Sequence, residues 1–160
     1  MKILWSVFVL TAALLVSRAY ASYTETARAH YNAFICFLEG LSRRIALVSG
    51  RIDDWCRECE VEVLRKIGFI DAYFNTGRLI SAFEHTEDRL YLTERARESL
   101  THYFSSAGHG YADAEIKSIE SCLDTLHKEL SEREAEWGTR KRTVAASAVS
   151  LALGIIIMLL

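Results

Sequence analysis

The chain contains no proline in 160 residues. Proline breaks helix interiors and punctuates turns, because its ring fixes φ and removes a hydrogen-bond donor. Without it, only glycine and local cap chemistry can stop a helix. Leu, Ala, Glu and Arg are abundant, and few stretches alternate apolar and polar residues with period two. The expectation is an all-α protein: an antiparallel three- or four-helix bundle, with an N-terminal signal helix and a C-terminal hydrophobic helix.

Two uncharged stretches frame the chain. Residues 3–16 are free of charge and follow Lys2, and Ala19-Tyr20-Ala21 then supplies a small-x-small pattern before Ser22. This is the layout of a secretory signal peptide over residues 1–21. The apolar run is short for a membrane span. An uncleaved signal anchor is the alternative, and Arg18 in the cleavage region favours it.

Residues 144–160 carry no charge either. As a helix that run would be about 25 Å long, just short of a hydrocarbon core of about 30 Å. Arg140, Lys141 and Arg142 sit on its N-terminal side. In an exported single-pass protein the cations belong on the cytoplasmic side of the span. A glycolipid-anchor attachment signal, an apolar tail behind a polar spacer, fits better. The attachment candidates are Gly138 and Ala145. Arg140 lies two positions beyond Gly138, where a small residue is wanted, and Ala145 leaves almost no spacer. A short retained transmembrane span is the alternative. The expected organisation is a signal peptide over 1–21, a helical ectodomain over 22–138, and a basic spacer plus hydrophobic tail over 139–160.

Charge is unevenly distributed. From Ser22 to Gly138 there are 14 Lys plus Arg against 21 Asp plus Glu, a net −7 that the whole-chain value of −2 hides. A domain this acidic lacks the clustered cations that phosphate contacts need, so nucleic acid is not an expected partner.

The helices are expected as follows. Ala27, Tyr31, Phe34, Leu38, Leu41, Ile45 and Val48 form a seam spaced four and three, with Thr24 or Thr26 as its cap and Ser49-Gly50 as its end. Gly40 inside it marks a candidate close helix crossing. A second helix starts at Asp53 or Asp54, puts Cys56, Cys59, Val63, Ile67, Ile70 and Phe74 on one face, and ends near Asn75-Thr76-Gly77. A third covers 78–105 with Leu79, Phe83, Leu90, Ala96, Leu100 and Phe104 inward, and a fresh cap near Thr86 divides it. The fourth runs from Ala112 to Trp137 on a seam of Ile116, Ile119, Leu123, Leu126 and Leu130, with Gly138 as its stop. Phe37 lies off the first seam and is expected exposed. Trp137 is expected at an interface beside the basic cluster.

The chemistry-bearing residues are few. Export makes Cys36, Cys56, Cys59 and Cys122 candidates for disulfides. Counting residues along antiparallel helices sets Cys122 level with Cys56 and Cys59, so Cys122 is expected to pair with one of them. Cys36 takes the other only if the first turn is offset. Trp55-Cys-Arg-Glu-Cys59 resembles the active-site frame of thioredoxins over those five residues alone. The resemblance implies a thiol-disulfide redox function, but no strand precedes the motif, and five acids from Asp53 to Glu62 crowd a turn where a thiolate wants positive surroundings. Asp124 with His127 and Glu98 with His102 are single helical pairs, short of the two Glu-x-x-His motifs of a bundle di-metal site. No nucleophile elbow, phosphate loop or dinucleotide fingerprint occurs, so neither catalysis nor a cofactor is expected.

The functional expectation is therefore a membrane-tethered extracellular helical interaction protein, at the cell surface or a secretory-pathway membrane. Residues 105–112, the 75–77 turn and residues 22–26 are assigned to its membrane-distal end. His109 and Tyr111 are the contact candidates. The alternative is a carrier for a small apolar ligand, suggested by the many aromatics between Tyr31 and Tyr111.

Overall fold

The computed structural model describes residues 2–48, 52–108 and 111–159. Among them the chain is all-helical. Helix α1 spans Lys2–Val48, α2 Ile52–Glu58, α3 Glu62–Lys66, α4 Phe69–Thr76, α5 Leu79–Thr86, α6 Glu94–Ser106 and α7 Ala112–Leu159, with a 3-10 turn at Glu87–Arg89. The residues divide into two compact units, Met1–Thr26 with Glu132–Leu160, and Ala27–Ser131.

In the unit built from the chain ends, two expected stops are absent. Thr24 and Thr26 do not cap a helix start, since α1 already runs through them. Their hydroxyls donate back to the carbonyls of Ala21 and Ser22, each at 2.9 Å. Gly138 does not end the fourth helix either, because α7 continues through it to Leu159. Thr139 and Thr143 there donate to carbonyls four residues back, each at 3.1 Å. A glycine stops a helix only when it turns left-handed, and Gly138 keeps helical backbone. Trp137, expected at an interface, is buried.

In the Ala27–Ser131 unit the α1 seam forms as expected. Ala27, Tyr31, Phe34, Leu38, Leu41 and Ile45 are all buried. The side chain of Val48 and the Ser49-Gly50 stop lie outside the described residues. Phe37 is also fully buried, against expectation. The reason is α2: Trp55 covers that flank, with its ring 6.3 Å from Phe37 and its Nε1 donating to the Phe37 carbonyl at 3.1 Å.

The expected second helix is three short ones. It breaks first after α2, where Val61 is extended at φ −68°, ψ 93°. The Cys59 carbonyl, freed there from helical bonding, accepts from Arg65 Nε at 3.0 Å. It breaks again at Gly68, whose φ of +85° is a left-handed conformation that costs any other residue type about 1–2 kcal/mol. Each break resets the helical phase. As a result Phe69, Ile70, Ala72 and Tyr73 turn inward and Phe74, expected on the buried face, is 47% exposed.

The third helix divides as expected, but at a different cap. Thr86 closes α5, its buried hydroxyl donating to the carbonyls of Ala82 and Phe83. Thr93 opens α6, its Oγ1 accepting from the Ala96 N–H at 3.3 Å. Leu79, Phe83, Leu90, Ala96, Leu100 and Phe104 are all buried, and on α7 so are Ile119, Cys122 and Leu126.

Thr93 does more than cap. Its Oγ1 donates to Glu129 Oε2 at 2.8 Å, and its N–H donates to the Tyr31 hydroxyl at 3.0 Å. Losing the side chain removes the cap and takes a donor from a carboxylate that is only 8% exposed. Thr93→Ala is expected to lower the unfolding free energy by about 2 kcal/mol, and Thr93→Ser by well under half of that, measured by urea unfolding.

Candidate functional site

Two places in the Ala27–Ser131 unit concentrate chemically distinctive residues. The first is the cysteine layer. Cys56 on α2 and Cys59 just beyond it are fully buried, Cys122 on α7 is buried, and Cys36 on α1 is exposed; all four thiols are free. The Cys59 thiol lies close enough to Cys36 for charge on one to act on the other, and Cys56 is similarly close to Cys59. The Tyr103 hydroxyl senses both Cys122 and Cys56.

Burial dominates the electrostatics. It pushes the Cys56 thiol up to about 12, with Cys59 and Asp53 adding to the effect. Burial also raises Cys59, opposed by the Val61 N–H and by Arg65, and raises Cys122, opposed by the Ser99 hydroxyl. Thiols held protonated at neutral pH are poor nucleophiles, because the thiolate is the attacking species. This environment is the opposite of what the thioredoxin-like frame at Trp55–Cys59 would need.

The second place is one end of the same unit. A concavity of about 90 Å³ is lined by Ile52, Tyr73, Arg78, Leu79, Phe104 and Ala107, among others. On Tyr73, the hydroxyl donates to Asp53 Oδ1 at 2.6 Å and fixes the rim. Breaking the second helix in three is what brings the 77–79 turn to the same place as Ile52 and Ala107.

Large apolar side chains of this unit stand in water. Tyr111 is 91% exposed, Leu47 82% and Phe74 47%. Phe74 is next to Tyr73, the two rings 5.6 Å apart. Leu47 lies shortly before Ile52 in the chain, and Tyr111 shortly after Ala107. Of the two contact candidates, Tyr111 is therefore fully presented, and His109 lies outside the described residues. Ile52 and the 77–79 turn were not legible as lining of one concavity, since their positions follow from helix breaks. The signal present was the Gly77-Arg78 turn and the Ser-Ser-Ala-Gly loop.

The other candidates are dispersed. Gly138 is exposed on α7, and Ala145 lies further along α7 with its side chain outside the description. Asp124, His127, Glu98 and His102 are exposed, and no three His, Cys, Asp or Glu among the described residues are grouped to hold a metal. No helix among the described residues is long and apolar enough to cross a membrane. Comparison with known protein families, with curated proteins and with solved structures finds no match to this chain.

Proposed function

We propose that this chain is a membrane-tethered helical interaction protein, with its Ala27–Ser131 unit outside the cell or in the lumen of the secretory pathway. The observation that supports the reading is the exposure of three large apolar side chains, Leu47, Phe74 and Tyr111, in this unit. Large apolar groups that stand together in water mark contact surfaces, and the proposal assigns these three to one such surface. The partner is a protein, engaged through that surface of a bundle of antiparallel helices. A concavity of about 90 Å³ takes one side chain, well below the several hundred Å³ of a small-molecule site, so a protein surface suits it better than a carried ligand.

Residues 1–21 act as the signal peptide and the uncharged 144–160 run behind Arg140–Arg142 as the tether. Lipid attachment at Gly138 or Ala145 is the preferred form of it. In an oxidising compartment a protein disulfide oxidant would convert the thiols to two bridges. The preferred bridge joins Cys122 to Cys56 or Cys59, and Cys36 takes the one left over.

The test is expression of the full chain in animal cells, followed by phosphatidylinositol-specific phospholipase treatment and non-reducing peptide mapping. Release from the surface together with two bridges is the expected result. Retention in the membrane at alkaline pH replaces the lipid by a span. A cytosolic chain with its leader intact and four free thiols overturns the proposal.

A further inference from the structure

Two consecutive residues of α1 grip the segment between the 3-10 turn and α6. His30 is buried, at 6% exposure, and its Nδ1 accepts the Tyr91 backbone N–H at 3.1 Å. The imidazole also stacks on the Tyr91 ring, centroids 5.6 Å apart and planes 11° apart. Next to it, the Tyr31 hydroxyl accepts the Thr93 N–H at 3.0 Å and also pairs with Thr93 Oγ1. Between these holds, Leu90 and Leu92 are buried while Tyr91 is half exposed.

We propose that His30 and the Tyr91 backbone form an acid-sensitive clasp, closed at neutral pH and opened when the imidazole takes a second proton. Only neutral histidine can accept at Nδ1. The protonated ring carries N–H groups on both nitrogens, so Nδ1 would face the Tyr91 N–H donor to donor. Opening frees the Tyr91 amide and ring from α1, between the holds on Leu90 and Thr93.

The neighbouring charges do not rescue the protonated ring. On α6, Arg97 donates to the Leu90 carbonyl at 2.9 Å and pairs with Glu87. Arg95 on α6 lies 3.7 Å from Glu129 on α7, and that carboxylate is also taken by Thr93. Tyr31 on α1 is engaged with Thr93, and the Tyr91 ring faces the imidazole. Burial is the cause that acts on His30, and it lowers the proton affinity from the ordinary 6.5. The folded state thus prefers the neutral ring. The stabilisation is fully present above 6.5 and is lost as the pH falls from there through the lower folded value. The Tyr31–Thr93 and Arg97–Leu90 bonds hold the segment on either side of Tyr91, so opening is local. This inference does not depend on where the chain resides.

The test is amide hydrogen exchange on the full chain in nonionic detergent, comparing protection factors for residues 90–93 at about pH 7.5 and about pH 5. In the unaltered chain the Tyr91 amide is expected to lose protection by about tenfold or more on acidification. His30→Asn places a non-titrating oxygen near the Nδ1 position and is expected to abolish the difference. Equal protection at both pH values, or the same loss in His30→Asn, overturns the clasp. Should the variant not fold, a titration of the His30 ring by NMR decides. An apparent value below the ordinary histidine value, tracking Tyr91 protection, supports the clasp, and one at or above it, or one that does not track, refutes it.

Discussion

Phe34→Ala is expected to lower the stability of the Ala27–Ser131 unit by about 4 kcal/mol, the largest loss foreseen for a single truncation here. Phe34 is fully buried on α1. Its ring meets Phe69 of α4 edge-on at 5.5 Å, Phe83 of α5 at 5.8 Å and Phe104 of α6 at 6.3 Å. Those three rings come from three different helices, so the cavity would open where four elements meet. Phe69 and Phe104 also touch at 5.8 Å, and Phe83 and Phe104 at 5.6 Å, which braces the surroundings against collapse. Little relaxation means a high cavity cost. For a unit of about a hundred residues the loss corresponds to a fall in Tm of roughly 15–25 °C. Calorimetry or thermal circular dichroism would read it. Phe34→Leu keeps most of the volume and should cost about half as much. A fall of only a few degrees for Phe34→Ala would show that the four rings do not form one stiff cluster.

Three members of this cluster were readable from residue spacing alone, and so was the helical class; Phe69 was not, since it lies off the face expected of the second helix. Phe34, Phe83 and Phe104 lie on period-3.6 faces, and a face repeated over several turns is a strong signal because burial area accumulates along it. Phe37 was misread for the same reason that Phe34 was read correctly. Periodicity within one helix cannot show that Trp55 from another helix covers the flank. The breaks at Val61 and Gly68 were also hidden, since the apolar spacing runs on through both. Only the backbone angles, and the Arg65 donor to the Cys59 carbonyl, show where the ladder stops. At the Tyr111 end, one loop residue was foreseen as a contact candidate. The concavity was not foreseen, because its lining comes from three segments far apart in sequence. The His30 clasp left no trace in the sequence either: a backbone N–H partner has no side-chain signature. Thr93 was overlooked in favour of Thr86, and the two differ only in whether the hydroxyl meets an N–H ahead of it or a carbonyl behind it.

Gly40→Ala is expected to destabilise the native unit by about 2 kcal/mol, even though alanine is the better helix former by about 1 kcal/mol. A Cβ at Gly40 would lie 2.2 Å from Cζ2 and 2.3 Å from Cη2 of Trp55. No pair of carbon atoms tolerates that, so the indole must move. Its freedom to do so is limited, because Nε1 donates to the Phe37 carbonyl and the ring packs beside Phe37. Displacing it also disturbs α2, whose last residue is held to α1 by the two-pronged Arg44–Glu58 pair. The sign of the effect should therefore depend on Trp55 alone. In a Trp55→Ala background the clash is gone and only helix propensity remains, so Gly40→Ala should stabilise that variant by about 1 kcal/mol. Urea unfolding of the four chains in this cycle gives a coupling of about 3 kcal/mol between two positions fifteen residues apart. If Gly40→Ala stabilises both backgrounds equally, α1 and α2 do not cross at this glycine, and the burial of Phe37 would need another explanation.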